Sequence, residues 1–261
     1  MVKNRRGKRK HDDPTVDEGS DTGAPDTTTD TAVPDEPADA SPEVTEPTEP
    51  PVDISKLVTK GLWDDDAKVV ESSLTEVANL SFGHSQAGPN RVTISLTGGL
   101  LAIVKAMHRF SDDALVQAAG GRALQNLALD QNNKGGIASA GGIQVLVAAM
   151  ERFPDDSAVQ MGGCGTFQNL VWGNDENGTR IVQAKGVPAI INAMQRHADL
   201  AEMQEWACGA LYLLALGEDS DVKDAILDAH GLTNIAAAIE NHRDDAGIRE
   251  KARNALARLL W

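Results

Sequence analysis

Cysteine is nearly absent, with Cys164 and Cys208 the two thiols in 261 residues. They fall at the same place in adjacent units of the repeat described below. Stacked helices lie roughly 8–10 Å apart, whereas a disulfide needs Cα atoms within about 7 Å. A disulfide framework is excluded, and two small buried thiols in a reducing compartment are expected. No run of about 18 apolar residues occurs, so neither a membrane span nor a membrane partner is expected. The N-terminus lacks the apolar segment of a signal peptide. Together these points predict a soluble, cytoplasmic protein.

Reactive constellations are also lacking. The six histidines are scattered, and His197 and His242 lie one repeat apart, too far to share a metal at about 2 Å per bond. They read as polar ends of a helix. Gly163–Gly165 is followed by no Lys-Ser/Thr pair and is no phosphate loop. Asn174–Gly178 lacks the acids of a calcium loop, and no Ser/His/Asp grouping stands out. No catalytic residue, metal or cofactor is expected, and the chain reads as a non-enzyme.

Charge is missing in blocks. Residues 1–10 hold six bases and no acid, while residues 11–52 hold 13 acids and no Lys or Arg. Residues 1–52 also lack Leu, Ile, Phe, Tyr and Trp and carry eight of the eleven prolines. Such a segment cannot bury enough apolar surface to offset the entropy of ordering. A disordered, basic-then-acidic, Pro/Thr-rich arm is expected over 1–52. Its tip, KNRRGKRK at 3–10, suits a nuclear localisation signal or equally a solvated terminus. Residues 53–261 carry 18 bases and 26 acids, which gives no field to draw nucleic acid.

What is present is a repeat. Gly99, Gly142, Gly186 and Gly231 open similar units at spacings of 43, 44 and 45 residues. A self-similar period of about 40–47 in helical wording indicates an α-solenoid. The units run about 53–98, 99–141, 142–185, 186–230 and 231–261. Before each Gly comes a short helix: Ile94, Ile137, Ile181 and Ile226 lie five residues ahead, and Asn90, Asn133 and Asn177 are placed to cap it. In the last unit Ser220 or Asp221 would take that place. After each Gly comes an amphipathic helix with Ile103, Met107 and Phe110 on one face, repeated as Leu146, Met150 and Phe153. A third, longer helix starts near Val116, Val159, Met203 and Ile248. Its small column, Gly120, Gly163, Ala207 and Ala252, allows close helix approach and compensates for glycine's poor helix propensity. The first unit fits the frame with Val69, Ser73, Val77 and Leu80.

These phrases resemble the armadillo repeat family: Asn, Ile, Gly-Gly-Ile, an apolar stripe, and the endings Ala123-Leu124-Gln125-Asn126-Leu127 and Thr166-Phe167-Gln168-Asn169-Leu170. The likeness covers residues 53–261, about four and a half units. The wording Val159-Gln160-x-x-Gly163-Cys164 is most similar to the intracellular adaptors of that family. The resemblance implies an all-α, right-handed superhelix whose third helices line a groove for extended peptides. It also implies that Asn79, Asn126 and Asn169 grip the ligand backbone. The column departs at Leu213 and Arg258.

With the Asn as angular origin, positions seven before, four before and four after lie within about 40° of it on the helix. This predicts an outward face that includes Ala119, Gly162, Trp206 and Lys251, then Arg122, Gly165 and Gly209. Three amides supply about 6 kcal/mol at best, so side-chain anchors are needed; Arg122, Trp206, Lys251 and Arg258 are the candidates. Alternatives stay open: the Asn residues can tidy helix ends, Trp206 can pack between repeats, and Lys251 and Arg258 can be solvated charges. Trp172 and Trp261, in a column with Phe82, Leu129 and Leu216, are expected to pack rather than touch ligand. The predicted partner is a protein or extended peptide, neutral to acidic, with an intramolecular contact from the acidic arm as a further expectation. The alternative reading is a nuclear import receptor-like cargo adaptor. Such receptors place Trp four residues before the Asn, where this chain has Thr75, Arg122 and Gly165.

Overall fold

Polar punctuation sets most helix boundaries. The computed structural model describes residues 52–217 and 219–261. Apart from Val52, the arm expected over 1–52, its 3–10 tip and its contact with the groove lie outside the described residues. The described residues form fourteen α-helices and one 3₁₀ turn, with no strand among them. A lead-in of α1 (Ile54–Thr59), the turn Gly61–Trp63 and α2 (Ala67–Leu80) precedes four three-helix groups. These are α3 (Ala87–Leu96), α4 (Gly99–Arg109) and α5 (Ala114–Leu127), then α6 (Gln131–Ser139), α7 (Gly142–Arg152) and α8 (Ser157–Val171). They continue as α9 (Asp175–Gln183), α10 (Gly186–Arg196) and α11 (Ala201–Leu216), then α12 (Ser220–Asp228), α13 (Gly231–Asn241) and α14 (Ala246–Leu260). This is the all-α solenoid of about four and a half repeats that the period predicts.

The Gly that opens each second helix is sterically required. A Cβ on Gly142 would lie 2.6 Å from Ile137 Cγ2 and 2.8 Å from the Ile137 carbonyl oxygen, and Gly99, Gly186 and Gly231 stand in the same relation to Ile94, Ile181 and Ile226. The residue just before turns the chain in the left-handed region. Glycine fills it in the first two full groups (Gly98, φ 85°; Gly141, φ 90°), but Lys185 (φ 63°) and His230 (φ 61°) fill it in the last two.

Asp side chains cap the third helices. Asp113 accepts from the backbone N–H groups of Leu115 and Val116, and Asp156 accepts from those of Ala158 and Val159. Asp66 and Asp245 cap α2 and α14. In α11 the cap position holds Leu200, which makes no side-chain bond. Within each of the first three full groups a buried glutamine locks the second helix to the third. Gln160 Nε2 donates to the carbonyls of Met150 (2.8 Å) and Phe153 (2.9 Å), and Gln117 and Gln204 do the same. Small residues let these helices close, because a Cβ on Gly163 would meet Met150 Sδ at 2.3 Å.

The third helices pack side by side in the order α2, α5, α8, α11, α14. One apolar core runs through them and the second helices. Exposed polar ties join the turns behind: Arg109 donates to the carbonyls of Leu62, Trp63 and Asp64, His197 Nε2 lies 2.9 Å from the Pro154 carbonyl, and His242 Nε2 lies 2.7 Å from that of Ala198. The two histidines do end the second helices, as the sequence suggests.

Two local expectations need correction. The first helices are capped by Asp130, Asn174 and Asp219, not by Asn133, Asn177 or Ser220/Asp221, and α3 has no side-chain cap. Instead Asn90, Asn133 and Asn177 donate to the carbonyls of Leu80, Leu127 and Leu170 at the ends of the preceding third helices. They join repeats rather than start helices. In α2, Val69 is exposed and Leu80 half-buried. Ser73 and Val77 are buried as the frame predicts, and Val70, Leu74 and Ala78 are buried beside them because α5 covers their face.

Candidate functional site

The third helices carry the site. Their outer edges enclose a cleft of about 590 Å³ that runs from α2 across α5 and α8 to α11. Leu115, Phe82, Leu129 and Met161 give it apolar walls, Arg122 lies within it, and Glu71 and Glu202 also line it. Asp113 positions Leu115 and Arg122 by fixing the start of α5.

Of the residues singled out from sequence, the cleft gathers Arg122, Asn126, Asn169 and Trp206. Asn79, Lys251 and Arg258 do not line it. Asn79 and Arg258 are exposed on the outer helices of the stack. Arg122 is exposed and takes part in no ion pair among the described residues. Trp206 is half-buried, with Nε1 3.5 Å from Glu202 Oε1 and the Lys251 ammonium 5.6 Å from its ring centre. That ammonium is also 2.7 Å from Glu205, so Lys251 is not a free cation.

The asparagines are set differently from a freely exposed row of amides. Asn126 is 8% exposed and its Nδ2 donates to the Ala78 carbonyl at 2.9 Å. Asn169, half-buried, repeats this with the Gln125 carbonyl at 2.9 Å. Each amide binds the preceding third helix first. One N–H and the side-chain oxygen are left to face the cleft.

The predicted outward face needs a matching correction. Gly162, Gly165 and Gly209 are buried between third helices. A Cβ on Gly162 would sit 3.1 Å from Gly121 Cα, and one on Gly165 would sit 2.3 Å from Gln125 Nε2. A sector of about 40° to either side of the Asn spans both the cleft and the flank of the neighbouring helix: Gly165 and Gly209 lie on the flank, and Gly162 touches both. The opposite error concerns the aromatic column. Trp172 is 65% exposed and Trp261 fully exposed, so neither packs as expected.

Sequence reading overlooked Glu71, Glu202 and Leu115 as cleft residues. Leu115 stood one position before the core stripe, an apolar residue with no place in it. The glutamine column was legible as the residue after Val116, Val159 and Met203.

No protein-family model matches the chain, and no curated protein sequence does. Solved structures do. The crystal structure of an engineered protein from the Northeast Structural Genomics Consortium superposes with a TM-score of 0.69 at 29% identity, over 79% of this chain and 47% of that one. The chain thus spans about half the length of that structure. A designed armadillo repeat protein matches with a TM-score of 0.53 at 14% identity, over 79% of this chain and 99% of that one. The chain has an armadillo-like repeat fold. A second designed armadillo repeat protein, solved with the peptide (KR)4, matches with a TM-score of 0.51 at 16% identity, over 80% of this chain and all of that one. At these identities the likeness to the designed proteins is one of fold.

In this armadillo-like frame the buried ionisable groups are few. Cys164 and Cys208 are free thiols inside the stack, and burial pushes both up to about 12. Burial lowers the pKa of Lys134, whose ammonium donates to the Trp172 carbonyl at the end of α8. Among the described residues no group of three or more His, Cys, Asp or Glu is arranged to hold a metal ion. No helix among them is long and apolar enough to cross a membrane.

Proposed function

We propose that the chain is a protein-interaction scaffold of the adaptor kind that holds an extended peptide of a partner in the cleft from α2 to α11. The observation that carries this reading is the convergence of an unpaired guanidinium, Arg122, with exposed apolar walls and two partly free amides in one cleft. The four-helix span suits an extended chain of about ten residues, since third helices stand roughly 10 Å apart and an extended residue covers about 3.4 Å. The side-chain oxygens of Asn126 and Asn169 accept backbone N–H groups of the peptide, and each remaining N–H donates to a peptide carbonyl. Those contacts are blind to sequence. Selectivity comes from Arg122, which takes a carboxylate, and from the pocket beside Leu115, Phe82 and Leu129, which takes an apolar residue. Glu71 and Glu202 limit how acidic the partner can be, so a neutral to mildly acidic peptide fits. The designed armadillo repeat protein solved with a bound peptide lends the same fold a precedent for this use. A cytoplasmic setting fits two buried thiols; nuclear entry would depend on residues 3–10.

The test is a random-peptide display selection against the full chain, followed by affinity measurement with Arg122→Ala and Leu115→Asp. Selected peptides should weaken at least tenfold with either change. Failure to select any peptide, or selected peptides indifferent to both changes, would contradict the reading.

A further inference from the structure

A second surface runs past the end of the cleft. One exposed apolar side chain stands at the C-terminal end of every third helix: Phe82 (58% exposed), Leu129 (45%), Trp172 (65%), Leu216 (37%) and Trp261 (101%). Scattered exposed apolar residues are ordinary. Five such residues, one per repeat at the same helix end and three of them aromatic, form a grouping of the kind that marks an interaction site. The row is also held rigidly at its centre. Gln131 Nε2 donates to the Gly173 carbonyl at 3.0 Å and Lys134 donates to the Trp172 carbonyl, while the Trp172 N–H donates to the Gln168 carbonyl at 3.3 Å, so the backbone on both sides of the exposed indole is fixed.

Acids follow the row. Asp130 comes directly after Leu129, Asp175 and Glu176 follow Trp172, and Asp219 and Asp221 follow Leu216. The contact of Thr179 Oγ1 with Asp219 at 3.0 Å ties the start of α12 to α9 and keeps the strip continuous. Asp130 and Asp219 cap α6 and α12 and Glu176 pairs with Arg180, which leaves Asp175 and Asp221 as the exposed acids of the border without an ion pair among the described residues. Of the bases here, Arg180 is thus engaged and Lys134 is buried. Lys223 in α12 is the exception.

We propose that this ridge and its acidic border dock a basic, extended segment of another protein in polyproline II form, with a large apolar side chain at every third residue. The acidic border selects the charge. The repeat spacing selects the conformation. Ridge residues recur once per repeat, about 8–10 Å. A polyproline II chain returns to the same face every three residues, about 9.3 Å on. A β-strand alternates faces and cannot keep this register. The chain's own residues 11–52 have the wrong sign, and its basic tip, 3–10, carries no large apolar side chain. The ridge shares Phe82 and Leu129 with the cleft but does not rest on the cleft's binding a peptide, because Trp172, Leu216 and Trp261 lie beyond it.

The test uses the full chain and a peptide of five Leu-Pro-Lys triplets, with a Leu-Pro-Glu counterpart, by calorimetry at low and high salt. The lysine peptide should bind, weaken as salt rises, and lose about tenfold or more in affinity with Trp172→Ser. Trp261→Ser, at a residue too exposed to affect folding, should weaken binding several-fold. Asp175→Asn with Asp221→Asn should weaken it too, and Lys105→Ala, exposed on a second helix, should leave it unchanged. Circular dichroism of each variant separates lost binding from lost folding. The proposal is overturned if the lysine peptide fails to bind, if the glutamate peptide binds as well, or if both tryptophan changes are silent in folded protein.

Discussion

The Asn126 carboxamide donates across 2.9 Å to the backbone carbonyl of Ala78, one repeat back, and is 8% exposed while doing so. A residue type associated with ligand contact is here a joint between repeats as well. Asn126→Ala should therefore cost about 1 kcal/mol of stability, the net worth of one intramolecular hydrogen bond, since the Ala78 carbonyl keeps the Ser81 N–H at 3.3 Å, before any effect on binding. Asn169→Ala, at a half-buried site, should cost less. Urea melts of the two variants rank them.

The buried glutamines make a sharper case. Gln160 Nε2 serves two carbonyls, of which that of Phe153 also accepts from the Asp156 N–H at 3.1 Å, while that of Met150 has Pro154, without an N–H, four residues on. Gln160→Leu removes both bonds and strands the Met150 carbonyl alone, so a loss of about 1–3 kcal/mol is expected. Gln160→Glu should be destabilising at neutral pH because a carboxylate would face two carbonyl oxygens, and less so in acid, where the protonated group donates once. Urea melts at two pH values test this.

Much of this architecture was legible in the chain. The Gly142–Ile137 pair appears as a spacing of five, and the reason for it is the 2.8 Å approach to a backbone oxygen. The Met150–Gly163 fit was legible as a small column. Other features were not, because they depend on which flank of a helix the next repeat covers. The stripe in α2 lost Val69 and widened to Val70, Leu74 and Ala78 because α5 covers that side. Gly165 and Gly209 look like cleft positions on a single helix and become contacts once the preceding third helix is laid alongside. Trp172 was misjudged because its whole column, from Phe82 to Trp261, stands at or past the helix ends and is exposed.

Glycine changes follow from the same distances. Gly142→Ala drives a methyl group into a backbone carbonyl that cannot move, and should cost about 1–3 kcal/mol. Gly165→Ala meets only the movable end of Gln125 and should cost distinctly less. Thermal melts of both distinguish backbone from side-chain obstruction.

Two sites carry removable strain. Lys185 sits at φ 63°, a conformation that costs an ordinary residue roughly 1–2 kcal/mol, so Lys185→Gly should stabilise by about 0.5–1 kcal/mol once glycine's extra chain entropy is included. Leu200 occupies a helix cap without a capping bond, and Leu200→Asp should add about 1 kcal/mol. The sites lie on different elements, and the gains should add.

The thiols predict a pH response. Burial raises Cys164 and Cys208 to about 12, above the unfolded thiol. Their contribution to stability is whole below the unfolded value and is lost as pH climbs toward 12. Alkaline titration should therefore loosen the stack, and at pH 8 an aqueous thiol reagent should label native protein only at the rate of opening.

The central claim is tested most directly by an amide and indole NMR titration of the full chain with a peptide selected on it. The account predicts that the largest shifts cluster at Leu115, Arg122, Asn169 and the Trp206 indole. Shifts centred instead on the second-helix side, at Lys105, His108 and Gln144, or spread evenly over the molecule, would contradict it.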